Sequence, residues 1–252
     1  MRANLAPFLI FLAFLLVRDG VAKLGAGSAH WALASPQYWV FPLQTFVCGV
    51  LLWVYRREYD FRPSSNFGSA AAVNLADTKE RCVPAVIKER WLPAVVRFGF
   101  AVAVGIAAFG IWIAPQLVFQ MPPRLDGFDP AFFGSDGWPY WMNLILRLAR
   151  MVVVVPLVEE IFWRGFLLRY LVKDDFRSVP FGTFTWTSFL ITTFAFCLEH
   201  RPADWPAAII TGALYNLTAY RTRSLAACVV AHAVTNMALG FYILHTRQWG
   251  FW

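Results

Sequence analysis

Charge is what this sequence has least of. Only 15% of its 252 residues are Asp, Glu, Lys or Arg, against about one quarter in a soluble domain. That deficit excludes an ordinary soluble globular protein. With 59% hydrophobic and 17% aromatic residues and a mean hydropathy of +0.53, the chain reads as a multi-spanning membrane protein. Acidic residues are scarcer than basic ones, 15 against 22, so the net charge is +7. A nucleic-acid partner is not the reading this favours. The Lys and Arg side chains fall in connections between apolar runs, where they anchor to lipid headgroups. Cysteine is sparse as well. Cys48, Cys82, Cys197 and Cys228 form no CxxC pair and no zinc-ligand spacing, and three of them lie in apolar runs, where a reduced, buried thiol is the default. There is no HExxH, no internal repeat and no low-complexity tract.

What is present is a series of apolar runs. The first, 5–17, could be mistaken for a signal peptide, and Ala32-Leu33-Ala34 resembles a cleavage site. That site lies too far beyond the run, so a retained helix reaching about Leu24 is expected. Further spans are expected at 38–55, 95–113, 182–199, 205–219 and 225–245. Another helix is expected from about Pro139 to Val172, opening at the interface and entering the membrane near Met151. The fold class is therefore all-α, a transmembrane bundle of about seven helices, or eight if 66–95 enters the bilayer. Two parts are expected: 1–140, with a basic interfacial loop at about 56–95, and a helical core at 141–245. With the amino end inside, fourteen basic residues fall on the inner side and five on the outer. The positive-inside rule then favours amino end in and carboxyl end out.

The run 152–172 carries the first chemistry. Glu159 and Glu160 are adjacent within it and Arg164 follows four residues later. Ionisable groups at membrane depth are expensive and tend to face a protein interior. Residues i and i+4 share a helical face, so Glu160 is placed to pair with Arg164, while Glu159 points ~100° away. Pro156 removes a backbone donor just before the pair and is expected to kink the helix. A structural ion pair with a spectator carboxylate is the plain alternative.

Two more polar groups interrupt apolar sequence: Phe196-Cys-Leu-Glu-His200, and His232-Ala-Val-Thr-Asn236 with its own i, i+4 spacing. A single membrane histidine is more often an interhelical hydrogen-bonder than a catalyst. Two histidines, an amide and a carboxylate on three helices favour a site. Helical rise places Glu159 and Asn236 at similar depth, each ~12–13 Å from one face.

Glu159-Glu160-x-x-x-Arg164, Phe196-x-x-x-His200 and His232-x-x-x-Asn236, in that order, resemble the three signature motifs of the CPBP family. These are the CAAX-protease and bacteriocin-processing (Abi) intramembrane glutamic endopeptidases. The resemblance covers about 143–240, and the surroundings of Glu159 further resemble the bacterial exosortase-associated branch. It implies a hydrolase without cofactor or metal. Glu159 with His200 would activate a water, and His232 with Asn236 would stabilise the oxyanion. Glu160 and Arg164 would support the site, and Phe196 would pack beside His200, though ordinary core packing is an equal reading for that ring. The implied partners are the lipid bilayer and a peptide or protein substrate, and the resemblance extends to substrates anchored in the membrane. A multi-pass protein of a bacterial cytoplasmic membrane is expected.

Three rivals stand beside that reading. A zinc hydrolase could use Glu159, His200 and His232. A cysteine enzyme could use Cys228, four residues before His232. A non-catalytic scaffold or immunity protein could keep the fold and bind a partner.

Overall fold

The structure, a computed structural model, describes residues 1–62 and 93–252. Most of the basic loop, the interfacial helix expected near Trp91, Cys82 and any eighth span lie outside the described residues. Among those described there are α1 (Arg2–Leu24), the one-turn α2 (Trp31–Ala34), α3 (Gln37–Val54) and α4 (Ala94–Val118). The long α5 (Gly137–Tyr170) follows, then α6 (Trp186–Cys197), α7 (Trp205–Thr222) and α8 (Leu225–Thr246). The described chain is all-helical, and the seven expected helices are these without α2. Five of them, α1, α3, α4, α5 and α8, are long and apolar enough to cross a bilayer. The protein is an integral membrane protein.

The chain divides into two compact units. The first comprises 1–59, 122–159 and 236–252; the second comprises 60–121 and 160–235.

In the first unit, α1 packs on α3. Pro7 lies inside α1 and cannot supply the N–H that the Ala3 carbonyl would otherwise accept. The Tyr59 hydroxyl donates to that carbonyl instead, at 2.9 Å. Gln44 on α3 donates from Nε2 to the Phe11 carbonyl at 2.7 Å. Each bond satisfies a polar group in apolar surroundings, where leaving one unmade costs roughly 1–3 kcal/mol. Tyr38, Phe41 and Phe128 form the aromatic core of this unit, with Leu15 and Trp252 packed against it.

Helix α5 contains two π-helical segments, Arg150–Val154 and Trp163–Leu167. The first ends two residues before Pro156, whose missing N–H already interrupts the regular ladder there. The backbone irregularity expected from Pro156 thus takes the form of a widened turn just ahead of the two glutamates.

In the second unit, α7 packs against both α4 and α6. Small residues set close approaches here, of α7 to α6 and of α4 to α8. A Cβ on Gly212 would lie 3.1 Å from Phe196 Cδ1, and one on Gly105 would lie 2.6 Å from the Ala231 carbonyl oxygen. Helix α6 is shorter than the expected 182–199 span. Thr185 caps it, its Oγ1 accepting from Ser188 N at 3.1 Å, and the preceding Gly182 takes φ +85°. The cap fixes a helical start that apolar composition alone does not mark. Helix α7 falls outside the five candidate spans because it is rich in buried polar side chains: Thr211, Asn216, Thr218 and Thr222.

Candidate active site

Five of the seven candidate residues lie in the second unit: Glu160, Arg164, Phe196, His200 and His232. Glu159 and Asn236 lie in the first.

Glu160 and Arg164 form the ion pair that their helical spacing predicts. Arg164 Nη1 donates to Glu160 Oε1 at 3.0 Å, and both side chains are fully buried. A buried pair is tolerable only when the remaining donors are also met, and here α7 meets them. Arg164 Nε donates to Asn216 Oδ1 at 3.1 Å and Nη2 donates to the Gly212 carbonyl at 3.0 Å. Asn216 is held in turn by donating to Thr193 Oγ1 on α6 at 3.0 Å. The guanidinium lies over the rings of Phe196 and Tyr215, 5.0 and 5.4 Å from their centroids. Gly212 permits this arrangement twice over, since it admits Phe196 and presents its carbonyl to Arg164.

Glu160 has a second partner that spacing did not indicate. His232 Nδ1 lies 3.0 Å from the same oxygen, Oε1. A carboxylate oxygen only accepts, so Nδ1 carries a proton. Neutral His232 therefore has its lone pair on Nε2, and only the imidazolium presents an Nε2–H donor. Tyr215 packs on the imidazole with ring centroids 5.0 Å apart. Its hydroxyl donates to Thr235 Oγ1 at 2.8 Å. Thr235 also reaches the Gly105 carbonyl on α4, at 2.9 Å.

His200 follows α6 and is half-buried. Its Nδ1 lies 3.2 Å from the Phe196 carbonyl, another acceptor. The same reasoning assigns the proton to Nδ1 and the basic lone pair of the neutral ring to Nε2. Phe196 lies beside both imidazoles, 5.2 Å from His200 and 6.4 Å from His232 by ring centroid. Trp112 of α4 covers His200 from another side at 5.1 Å. Phe196 is thus core by burial and also the ring shared by the two histidines.

The first unit holds the other two candidates. Glu159 is buried and within electrostatic reach of Arg150. Asn236 Nδ2 donates to the Met151 carbonyl at 2.8 Å. Met151 sits in the first π-segment of α5, so this amide satisfies a carbonyl in the irregular turn. The second Nδ2 hydrogen remains chemically available for another acceptor.

Several residues of the cluster carried no sequence motif. Asn216, Gly212 and Tyr215 on α7 complete the surroundings of Arg164, and only an amide in an apolar helix hinted at Asn216. Glu199, next to His200, accepts from Trp163 Nε1 at 3.0 Å through Oε2. Cys228 is fully buried and packs with Leu168 and Ala219. Among the described residues, no three His, Cys, Asp or Glu side chains are grouped as ligands for a metal ion.

Residues 141–238 match the family model described as Type II CAAX prenyl endopeptidase Rce1-like. That stretch contains all three motifs, and the match supports the CPBP resemblance drawn from them. No curated protein and no solved structure gives a significant match.

Proposed function

We propose, from the CPBP family of CAAX-type membrane proteases to which this Rce1-like region belongs, that the chain is an intramembrane endopeptidase using a glutamate- and histidine-activated water. In this reading Glu159, with His200 through Nε2, takes the proton of the attacking water. The hydroxide adds to a peptide carbonyl, and the proton passes to the departing amine as the C–N bond breaks. His232 and Asn236 stabilise the oxyanion. For His232 that role requires a proton on Nε2 while Nδ1 donates to the Glu160 carboxylate. The Glu160–Arg164 pair holds the imidazole in place and limits the local negative charge. The substrate is a peptide or protein anchored in the membrane, and the enzyme is placed in a bacterial cytoplasmic membrane.

The observation that supports this most is the orientation of the two imidazoles. Each has Nδ1 on an acceptor, Glu160 Oε1 for His232 and the Phe196 carbonyl for His200. That leaves Nε2 as the reactive nitrogen of both. Histidines serving only as packing groups have no need of one common tautomer.

The test is proteolysis of a supplied membrane-anchored peptide by purified variants in lipid nanodiscs. Glu159→Gln keeps side-chain size but cannot take up the water's proton, so it should fold and lose cleavage. His200→Ala should do the same. Cys228→Ala should remain active and chelators should have little effect. Full activity in Glu159→Gln would end the glutamate-water mechanism, and chelator-abolished activity restored by zinc would convert it to a metal one.

A further inference from the structure

Glu199 lies just past the end of α6 and immediately before His200. Its Oε2 accepts from Trp163 Nε1 at 3.0 Å, and Trp163 opens the second π-helical segment of α5. The indole is buried, at 5% exposure, and packs edge-on to Phe196 with centroids 6.1 Å apart. Phe196 is the ring that both histidines share. The Glu199 carboxyl is thus tied to the histidine cluster twice, through the backbone to His200 and through the indole to Phe196. Its other oxygen, Oε1, is buried and has no hydrogen-bond partner among the described residues. Arg164 is within electrostatic reach, but its Nη1, Nε and Nη2 are directed at Glu160, Asn216 and Gly212.

Packing does not explain a carboxyl at this position. An indole offers one N–H, and the neutral amide of a glutamine would meet it equally well. The acid adds a second acceptor and, when ionised, a negative charge. Burial makes both costly unless something answers them. What answers an unmet carboxylate oxygen is a cation that can donate a hydrogen bond. Peptide hydrolysis makes one. When the C–N bond breaks, the carbonyl carbon keeps the water's oxygen and the nitrogen leaves with the bonding electron pair. Both protons of the water end on that nitrogen, so the products near neutral pH are a carboxylate and an α-ammonium. The nitrogen departs from the carbon attacked by the water that His200 helps to activate. Glu199 is the neighbouring residue, its Cα ~3.8 Å from that of His200.

We propose that the Glu199 carboxyl is the subsite for the α-amine that cleavage releases. The inference rests on the protease reading and assigns the residue that receives the amine-bearing product. Trp163 holds Oε2 and leaves Oε1 to accept from the departing nitrogen. Positive charge builds on that nitrogen as the bond breaks, so the interaction strengthens along the reaction. The intact amide has one N–H and no charge, and the ammonium has three N–H groups and a full charge. Short peptides with a free amino end should therefore compete with substrate.

The probes are the tripeptide Ala-Val-Leu as its C-terminal amide, with a free α-amine, and the N-acetylated form of the same peptide. Dissociation constants are measured at pH 7 on the full-length Glu159→Gln protein in phosphatidylcholine nanodiscs, which removes turnover. The free amine should bind about 10-fold or more tighter, the increment of a charge-assisted hydrogen bond. Glu199→Gln, added to that background, should remove the preference, and Glu199→Asp should keep part of it. Glu199→Gln should also keep its thermal midpoint, because the amide oxygen still accepts from the Trp163 indole. A fall in midpoint would assign the carboxyl to the fold and overturn the subsite. Equal binding of the two peptides, binding of neither, or a preference that survives Glu199→Gln would also overturn it. So would a midpoint raised by phosphatidylethanolamine in the parent and not in Glu199→Gln, since the ammonium would then be a lipid headgroup. Amine-selective binding that depends on Glu199, in a chain whose wild type cleaves no supplied peptide, would retain the amine subsite and defeat the protease reading. Cleavage by the wild type without amine selectivity would do the reverse.

Discussion

His232 Nδ1 and Glu160 Oε1 are 3.0 Å apart, and that same oxygen accepts from Arg164 at 3.0 Å. One carboxylate oxygen therefore serves a structural cation and a candidate catalytic imidazole together. The helix carrying the acid pair and the helix carrying the third motif are joined through one atom.

Glu160→Gln should accordingly show two separable losses. Leaving Arg164 unpaired in a buried site costs ~3–5 kcal/mol, read as a lower thermal midpoint and lower yield. Adding Arg164→Met should recover part of the stability. Activity should return only in part, because the glutamine's amide oxygen can still accept from His232 Nδ1 but carries no negative charge. A double variant as poorly folded as the single one would show that Arg164 depends on α7 rather than on Glu160.

Glycines on α4 provide a packing test with internal controls. Gly105 meets α8 so closely that a Cβ would lie 2.6 Å from the Ala231 carbonyl oxygen, whereas Gly99 and Gly110 have nothing within 4 Å. Gly105→Ala should cost about 1–3 kcal/mol as overpacking. Gly99→Ala and Gly110→Ala should be neutral or slightly stabilising, since glycine is the poorer helix former. Thermal midpoints of the three variants in one detergent decide it.

Asn236→Ala should retain measurable turnover. Losing one oxyanion donor costs on the order of 10²–10³ in rate. The Met151 carbonyl loses its 2.8 Å donor at the same time, so a stability loss of about 1 kcal/mol should accompany it. A drop in kcat with KM unchanged is the expected signature. A rise in KM alone would place Asn236 in binding.

Much of this arrangement was readable from local pattern. The i, i+4 rule located the Glu160–Arg164 pair, and charge scarcity with apolar periodicity located the helices. What stayed hidden depends on contacts between distant segments. Nothing near Gly212 or Asn216 indicates that α7 supplies the remaining partners of Arg164. The aromatic surroundings of Arg147 come from Phe41, Phe128 and Trp252, which no local window joins. Helix α6 starts later than the expected 182 because the Thr185 cap, a hydrogen-bonding side chain and not apolar composition, sets that start.

Membrane orientation offers a further check. The excess of basic residues on one set of connections predicts an inside amino end and an outside carboxyl end. A phosphatase fused after Trp252 should be active only when exported, and a fluorescent protein that matures in the cytoplasm should stay dark there. The opposite pair of signals would reverse the orientation.

Helix α6, with its 12 residues, rises only ~18 Å, well short of a hydrocarbon core of ~30 Å. Lipid tails meeting so short a wall must shorten to match it, at a fraction of a kcal/mol per Å of mismatch. The leaflet should dimple beside α6 and bring headgroups and water toward the depth of His200. Hydrolysis consumes water, so the bilayer itself becomes part of its supply. Turnover should then fall when nanodiscs of short-chain phosphatidylcholine are replaced by long-chain ones, with the protein's thermal midpoint unchanged.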